Sequence, residues 1–292
     1  MLAGVKKYLN LFMEVGKFRI TSFVAVSTSV GFILASGKID LGIILPTIGV
    51  FLIASGSSAL NHFQERDTDA LMDRTKNRPI PAQKIKPGGV LLLAVIFIFA
   101  GSFILYTFSN LTALLLGWLA LFWYNVIYTP MKRRFAMAVV PGSLIGAIPP
   151  VIGWVAGGGE LTNPQVYALA LFFFIWQIPH FWLLLLIHGK DYENAGFPTL
   201  TQIFNDSQLG RITFVWIAAL AISVLLIPFF GVSSNFVTGI LLVVLGVWLV
   251  NNMRKILSDY LEKIIFRKAF MAVNLYVLIV VLLLSIDRLL LK

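Results

Sequence analysis

Long apolar runs dominate the chain, and short polar breaks divide them. A membrane-spanning helix needs about 20 mostly apolar residues, and nine segments meet this requirement. Breaks rich in glycine, asparagine, proline or serine, such as SGKID and GGGELTNP, separate several of these segments. The pattern therefore predicts an all-α, polytopic membrane protein. The predicted spans cover approximately residues 20–36, 41–60, 90–108, 111–128, 137–156, 165–187, 212–230, 233–250 and 269–287.

The composition supports a protein of the bilayer. Of the 292 residues, 59% are hydrophobic and 12% are charged, whereas soluble domains average about 45–50% apolar and about 25% charged residues. The chain has no cysteine, which excludes disulfide scaffolds, thiolate zinc sites and cysteine nucleophiles. We expect no cleavable signal peptide, because the first 19 residues carry charges throughout. This basic segment is expected to lie on the membrane surface before the first span.

The basic residues predict an orientation in the membrane. Of the 23 lysines and arginines, 20 fall in the N-terminal tail and in alternate loops, and three fall on the other side. Because cytoplasmic loops are rich in these residues, we expect a cytoplasmic N-terminus and an outside C-terminus in a cell membrane. The net charge of +10 then requires no nucleic acid. Residues 1–292 are expected to form one domain, capped on the cytoplasmic side by loops at about 61–89 and 188–211.

Charge is concentrated in the stretch NHFQERDTDALMDRTKNRPIP, residues 61–81, where eight residues carry a formal charge. Asn61, Glu65, Asp69 and Asp73 recur every four residues, so a helix that continued beyond the second span would place them on one face. Like charges at this spacing repel each other unless a cation neutralises them. Mg²⁺ suits such a site, because it takes oxygen ligands and shares its coordination with substrate phosphate.

Basic residues lie among these acids, and guanidinium and ammonium groups bind phosphate oxygens. They are Arg66, Arg74, Lys76 and Arg78. The combination indicates a site for a diphosphate and Mg²⁺. On spacing alone, an ordinary solvated loop of mixed charge explains the stretch equally well.

Two further polar patches follow on the same predicted side of the membrane. HGKDYENAGFPTL, residues 188–200, contains Asp191 and Glu193 as acids and Lys190 as a phosphate ligand. Residues two apart do not share a helical face, so only one of these acids is expected to face the same metal. In YTPMKRR, residues 128–134, Tyr128 and Lys132 could meet, although a positive membrane anchor explains that motif by itself.

Polar and kink-forming residues also occur within two predicted spans. GSLIGAIPPVIGW, residues 142–154, contains three glycines and two prolines, and WQIPHFW contains Gln177, Pro179 and His180. Polar groups at membrane depth usually face a cavity, and proline frees backbone carbonyls that need partners. We therefore expect these spans to line a cavity. His180 could ligate a haem iron, donate a hydrogen bond to an acceptor substrate, or bond to a neighbouring helix.

These motifs together resemble the membrane prenyltransferase superfamily that includes 4-hydroxybenzoate polyprenyltransferase. Its first signature, N-x-x-x-D-x-x-x-D, is matched by Asn61 and Asp69, with Glu65 in place of the middle aspartate. Its second acidic motif, often D-x-x-x-D, keeps Asp191 but has Ala195 where a second acid could stand.

Five stretches resemble the protohaem farnesyltransferase branch of that superfamily over residues 17–200. They are DALMDRTKNRPIP, YTPMKRR, GAIPPVIGW, WQIPHFW and KDYENAGFP. The branch's usual K-P-R before the first span is KFR here, with Arg19 kept and Phe18 in place of proline. After Arg211 the similarity is one of hydropathy only.

The resemblance implies nine helices in a ring around a central cavity, and Mg²⁺-dependent transfer of farnesyl from farnesyl diphosphate to a vinyl group of haem b, giving haem O. It implies catalytic, metal-binding side chains at Asn61, Glu65, Asp69 and Asp191. It implies diphosphate binding by Arg19, Arg66, Arg74, Lys76, Arg78, Lys132 and Lys190. It implies an acceptor pocket that includes Tyr128, Gln177 and His180. The expected partners are farnesyl diphosphate, haem b, bilayer lipid and the next haem-modifying enzyme.

Three alternative functions would each account for part of this sequence pattern. A prenyltransferase acting on an aromatic quinone precursor is the nearest, and the five stretches above argue against it. A transporter is disfavoured because the sequence shows no clear inverted repeat. In a non-catalytic haem-binding chaperone, the acidic stretch would have no purpose.

Overall fold

The computed structural model describes residues 2–232, 235–257 and 263–290. In this part of the chain every regular element is helical, which confirms the predicted class. A surface helix, α1 (Leu2–Val15), comes first. Nine helices long and apolar enough to cross a membrane follow in the same described ranges. They are α2 (Phe18–Ser36), α3 (Leu41–Gln64), α4 (Pro87–Phe108), α5 (Leu111–Met131), α6 (Ala136–Ala156), α7 (Pro164–Asn194), α8 (Asp206–Phe229), α9 (Phe236–Leu257) and α10 (Ile264–Leu290).

The nine helices coincide with the nine predicted spans, but their ends extend beyond the apolar runs. Residues 233 and 234, where the eighth predicted span begins, lie outside the described residues. Helix α7 continues through the polar patch as far as Asn194, and α8 begins at Asp206. The second expected cap, 188–211, is therefore free of α-helix only over 195–205, where a short 3-10 helix spans Leu200–Gln202. Apolar character marks how deep a residue lies in the bilayer, whereas the helix itself ends where its backbone hydrogen bonds end.

Helices α2 and α6 approach each other closely through glycine. A Cβ added at Gly31 would collide with the carbonyl oxygen of Pro150, and one added at Gly153 would collide with that of Thr28. Small residues allow such close backbone packing between membrane helices, where no hydrophobic effect drives association. Part of the glycine-rich stretch 142–154 is thus explained by helix packing.

Helix α7 is covered by other helices along most of its length. It packs against α6, α8 and α10, and no residue from Phe172 to Gly189 is exposed. Side chains of intermediate exposure recur every three or four positions along one face. They are Gln177, Phe181, Leu184 and His188, with His180 beside them. Because no residue of this stretch is exposed, we infer that this half-exposed stripe borders space inside the bundle, where the central cavity was expected.

The surface helix α1 is anchored to the start of the bundle. Phe12 packs edge-on against Phe18 and lies 4.7 Å from the ring of Phe97. Lys84 forms an exposed ion pair with Glu14 at 3.2 Å. The N-terminal segment therefore leads directly into the short turn at Gly16 and Lys17 that precedes α2.

Candidate diphosphate and metal site

The side chains spaced four residues apart in the acidic stretch stay close together, although the helix that carries the first of them does not continue. Helix α3 ends at Gln64, Glu65 lies at the break, and a short helical turn spans Arg66–Asp69. Asn61, Glu65 and Asp69 are buried, at 1%, 4% and 0% exposure. Asp73 lies beyond this turn, where it is exposed and pairs with Lys76 at 2.6 Å. The expected stripe therefore consists of three oxygen-bearing side chains, and Asp73 is not one of them.

A π-helical turn in α5, Trp123–Tyr128, holds the end of α3 in place. The buried Asn125 accepts a hydrogen bond from the Ser57 hydroxyl at 2.6 Å and donates one to the Gln64 side chain at 3.0 Å. The Asn61 amide donates to the Thr129 hydroxyl at 3.3 Å. Such π turns add a residue to the helix and occur frequently at functional sites. Here the turn directs two polar side chains of α5, Asn125 and Thr129, towards the last turns of α3.

Each of the three buried groups contacts a cation from a different part of the chain. The Lys17 ammonium donates to Asn61 Oδ1 at 3.1 Å. Lys132, from the YTPMKRR motif, lies 2.6 Å from Glu65 Oε1. Arg78 donates to both carboxylate oxygens of Asp69 at 2.7 Å. We call these six residues the paired cluster: Lys17, Asn61, Glu65, Asp69, Arg78 and Lys132.

The charges of the paired cluster act on each other because they are shielded from water. Burial and the nearby Arg78 guanidinium lower the pKa of Lys17 to about 7. Burial by itself raises the pKa of Glu65, but the ammonium groups of Lys132 and Lys17 outweigh it, so the pKa lies below its ordinary value. Glu65 is therefore an anion in this environment, and its charge is held by Lys132.

The second polar patch meets the first through Arg74. The backbone N–H of Arg74 donates to Asp191 Oδ2 at 3.3 Å, and its guanidinium donates to the Tyr192 hydroxyl at 2.9 Å. Glu193 instead accepts hydrogen bonds from Thr199 at 2.9 Å and Thr201 at 2.5 Å, so it closes the turn after α7. As expected from their spacing, the two acids face different partners. The three polar patches of the sequence thus converge at one end of the bundle.

Five of the seven predicted diphosphate ligands lie outside the paired cluster. Arg66 donates to the Phe63 carbonyl at 2.8 Å and lies 3.6 Å from Asp67, which is exposed. Lys76 is exposed in its pair with Asp73. Arg19 and Lys190 are also exposed. The structure therefore brings Arg78 and Lys132 to the buried oxygens, places Arg74 against Asp191, and leaves the other four at the surface.

The metal-binding role of Asn61, Glu65, Asp69 and Asp191 stays a prediction. Carboxylate and amide oxygens are the ligands that Mg²⁺ prefers, and three of these groups are buried side by side along 61–69. Within the described residues, no three acidic or histidine side chains form a group that could hold an ion by themselves. The donor set fits Mg²⁺ chemically, while each of the three buried groups is held by a cation.

The predicted acceptor residues are half-buried, and each contacts another part of the chain. Tyr128 stacks on Tyr124 at 5.8 Å, with the Lys132 ammonium 5.5 Å from its ring. Gln177 lies over Gly146, where a Cβ would collide with the amide side chain. His180 Nδ1 lies 2.8 Å from Asn274 Oδ1 on α10. One of the three roles considered for His180, a bond to a neighbouring helix, is thus realised through one ring nitrogen.

Several residues of the site were not predicted from the sequence. Lys17 belongs to the KFR motif, in which the sequence predicts Arg19 as the diphosphate ligand. A linear motif does not show which side chain turns inward. Lys17 adopts a left-handed backbone conformation, φ 48°, which directs it back towards α3. Asn125 and Asn274 had a usable signal, since each is an amide within an apolar span. Tyr192 had none beyond its place next to Asp191.

Comparison with known proteins identifies the class. Residues 24–276 match the UbiA prenyltransferase family, and the chain belongs to that family. It is therefore a multi-pass membrane enzyme that transfers prenyl groups.

The similar curated proteins within this family share one name, protohaem IX farnesyltransferase. The protein of Oleidesulfovibrio alaskensis is 31% identical over 273 residues, which cover 94% of each chain. That of Nitratidesulfovibrio vulgaris strain DP4 is 34% identical over 231 residues, covering 79% of this chain and 80% of the relative. That of Geobacter sulfurreducens is 43% identical over 188 residues, covering 64% and 68%.

Solved structures support the fold. A digeranylgeranylglyceryl phosphate synthase has a TM-score of 0.78 at 16% identity, over 97% of this chain and 99% of the other. A UbiA homologue from Archaeoglobus fulgidus, bound to GPP and Mg²⁺, has a TM-score of 0.67 at 14% identity, over 94% and 99%. These identities are low, so the two structures show a shared arrangement of helices.

Proposed function

We propose that the protein transfers farnesyl from farnesyl diphosphate to a vinyl group of haem b, with Mg²⁺, to form haem O. The observation that carries this proposal is the paired cluster at the end of the half-exposed stripe of α7. Buried oxygens for a metal and cations for a diphosphate lie together, next to an apolar interior. The name shared by the curated relatives supports the choice of donor and acceptor.

The chain's own residues account for departure of the diphosphate. Lys17, Arg78 and Lys132 are the cations of the paired cluster, and charge stabilisation at a leaving group is often the largest catalytic contribution. Asn61, Glu65, Asp69 and, from the second patch, Asp191 would hold Mg²⁺. A bound Mg²⁺ supplies a positive charge that draws electrons from the leaving group. When substrate and metal enter, the three cations exchange their oxygen partners for phosphate oxygens.

The remaining chemistry needs an apolar space rather than a protein nucleophile. The bond between farnesyl C1 and the diphosphate oxygen breaks, and the electron pair leaves with the diphosphate. The terminal vinyl carbon of haem bonds to C1, which leaves a cation on the neighbouring carbon. Water adds to that carbon and loses a proton, which gives the hydroxyethylfarnesyl group. Tyr128, Gln177 and His180 line the acceptor side of this space, and the aromatic faces around them shelter positive charge.

The proposal also includes the setting of the enzyme. In this proposal, residues 1–292 form one domain with cap segments between α3 and α4 and between α7 and α8, and its site opens on the cytoplasmic side of a cell membrane. The N-terminus lies in the cytoplasm and the C-terminus outside. The farnesyl chain and the porphyrin ring are apolar, so the product can stay in the bilayer or pass directly to the next haem-modifying enzyme.

Incubation of the purified protein with haem b, farnesyl diphosphate and Mg²⁺ tests the function, with mass analysis of the pigment. We expect a mass increase equal to one farnesyl group plus one hydroxyl group, and release of one diphosphate per haem converted. Asp69→Asn, which keeps the size of the side chain, is expected to abolish turnover while the protein still inserts and extracts normally. Prenylation of an aromatic quinone precursor instead of haem b would contradict the choice of acceptor.

A further inference from the structure

His180 is held in a defined orientation by helix α10. Its Nδ1 lies 2.8 Å from Asn274 Oδ1, and the Asn274 amide nitrogen donates to the Phe270 carbonyl at 2.6 Å. The second bond fixes which end of the Asn274 amide is oxygen. Because an amide oxygen only accepts hydrogen bonds, His180 Nδ1 must carry the proton. Neutral imidazole has one protonated nitrogen, so Nε2 keeps its lone pair.

The second ring nitrogen of His180, Nε2, is not bonded to a neighbouring helix. Among the described residues, His180 Nε2 has no hydrogen-bond partner, and it is not one of the fully enclosed polar atoms. Aromatic rings surround the imidazole: Trp176 lies at 5.2 Å, Phe181 at 5.3 Å and Phe270 at 4.8 Å between ring centroids. His180 also stands beside the half-exposed stripe of α7, on a segment, 172–189, in which no residue is exposed. A lone pair among flat apolar walls suits a planar ligand that carries a metal.

We propose that His180 Nε2 is the axial ligand of the haem iron, and that Asn274 is the positioning residue that fixes its tautomer. This inference rests on the proposed function, because it takes haem b as the acceptor. Metal-ligating histidines almost always donate their other ring N–H to a fixed acceptor, which orients the ring and strengthens the ligand. Asn274 supplies that acceptor here. It lies in the last third of the chain, where the sequence motifs give no guidance.

The position along α7 agrees with this role. Asp191 lies eleven residues after His180, which corresponds to about 16 Å along a helix. The iron would then lie deep in the bundle, and the porphyrin would extend from it towards the diphosphate end. One edge of the haem can thus approach farnesyl C1, while the iron remains distant from the paired cluster.

Haem binding to the full-length protein in lipid nanodiscs tests the proposal without turnover. Ferric haem b is titrated, and the absorption and electron paramagnetic resonance spectra report the axial ligand. We expect an imidazole-ligated spectrum for the native protein, its loss in His180→Ala, and its recovery when free imidazole is added. His188→Ala, a histidine on the same helix, is the matched control and is expected to keep the spectrum.

The role of Asn274 is tested in the same titration. Asn274→Leu removes the acceptor and is expected to weaken haem binding about 10- to 100-fold. Asn274→Asp restores an acceptor and is expected to recover most of the affinity. A merely structural role would predict equal damage from both substitutions.

Three outcomes would overturn the inference. They are an unchanged spectrum and affinity in His180→Ala, a loss that imidazole does not reverse, and equal binding by Asn274→Leu and the native protein. If the native enzyme still converts haem b in such a case, the proposed function stands and only the ligand assignment fails. If haem is ligated through His180 but never farnesylated, the proposed function fails and the haem site stands.

Discussion

Asp69 is the most enclosed carboxylate of the paired cluster, and Arg78 is its counter-ion. A buried carboxylate left without its partner costs about 3–5 kcal/mol, so Arg78→Ala is expected to lower the thermal midpoint of the detergent-solubilised enzyme. Because Arg78 keeps 20% side-chain exposure, we expect the lower end of that range. Added Mg²⁺ should raise the midpoint of Arg78→Ala more than that of the native enzyme, since the freed carboxylate needs a cation.

Lys84→Ala is the matched control for that experiment. Lys84 pairs with Glu14 on the surface, where both side chains are more than 40% exposed, and such pairs contribute about 0–1 kcal/mol. Equal loss of stability in the two variants would show that the Asp69 pair is no more important than a surface contact. An equal response to Mg²⁺ in the native enzyme and Arg78→Ala would argue against Asp69 as a metal ligand.

The sequence and the structure disagree on whether Lys17 or Arg19 contacts the site. The motif comparison selected Arg19, whereas the structure pairs Lys17 with Asn61 and leaves Arg19 exposed. A hydrogen bond to a charged group contributes about 1.5–3 kcal/mol, which corresponds to about 10- to 100-fold in an equilibrium constant. We therefore expect Lys17→Met to raise the KM for farnesyl diphosphate by about this factor, and Arg19→Met to raise it much less. Steady-state kinetics with both variants decides the matter, and the reverse order would contradict the observed geometry.

At the scale of elements, the approach of α2 to α6 depends on a missing side chain. A Cβ at Gly153 would meet the Thr28 carbonyl, which is backbone and cannot rotate away. Gly153→Ala should therefore separate the two helices and strongly reduce the yield of folded protein in size-exclusion chromatography. Gly239→Ala on α9 is the control, because a Cβ there meets nothing within 4 Å. Similar yields for the two variants would show that the close packing is not required.

The number and positions of the membrane-spanning helices could be predicted from the sequence. The end of α3 beside the acidic residues could not. Nine apolar runs are enough to count spans, because each run must match the thickness of the bilayer. Asn61, Glu65 and Asp69 suggested a continuous helix, but α3 ends at Gln64 and the chain turns. Over this short distance, residues four apart lie on the same side both in a continuous helix and in the observed helix end followed by a turn. The pattern therefore identified the buried oxygens for a reason that is only partly correct.

Partners that lie far apart in the chain could not be predicted at all. Lys132 is 67 positions from Glu65, and Asn274 is 94 positions from His180. Periodicity describes which side of one helix a residue occupies, and it does not say which helix will face that side. The common membrane face of the charged loops indicated that they could meet. Which cation reaches which oxygen depends on the packing of α2, α3 and α5.

At the scale of the whole molecule, the distribution of charge determines where the site can open. Basic residues on one side of the membrane favour an anionic substrate there, and the three polar patches converge at that end. The prenyl chain and the haem are apolar and can enter from the bilayer. The site therefore needs water on one side only, and the cytoplasmic opening that we propose would give it access to soluble diphosphate and Mg²⁺.

This orientation can be tested with single cysteines, because the chain has none of its own. Lys38, between α2 and α3, pairs with Asp40 on the predicted outer side, and Lys84, between α3 and α4, pairs with Glu14 on the predicted cytoplasmic side. A membrane-impermeant maleimide added to intact cells should label Lys38→Cys, and it should label Lys84→Cys only after the cells are permeabilised. The cysteine-free protein gives the background. Labelling of Lys84→Cys alone in intact cells would place the paired cluster outside the cell. The basic loops would then lie on the wrong side of the membrane, and the predicted topology would be reversed.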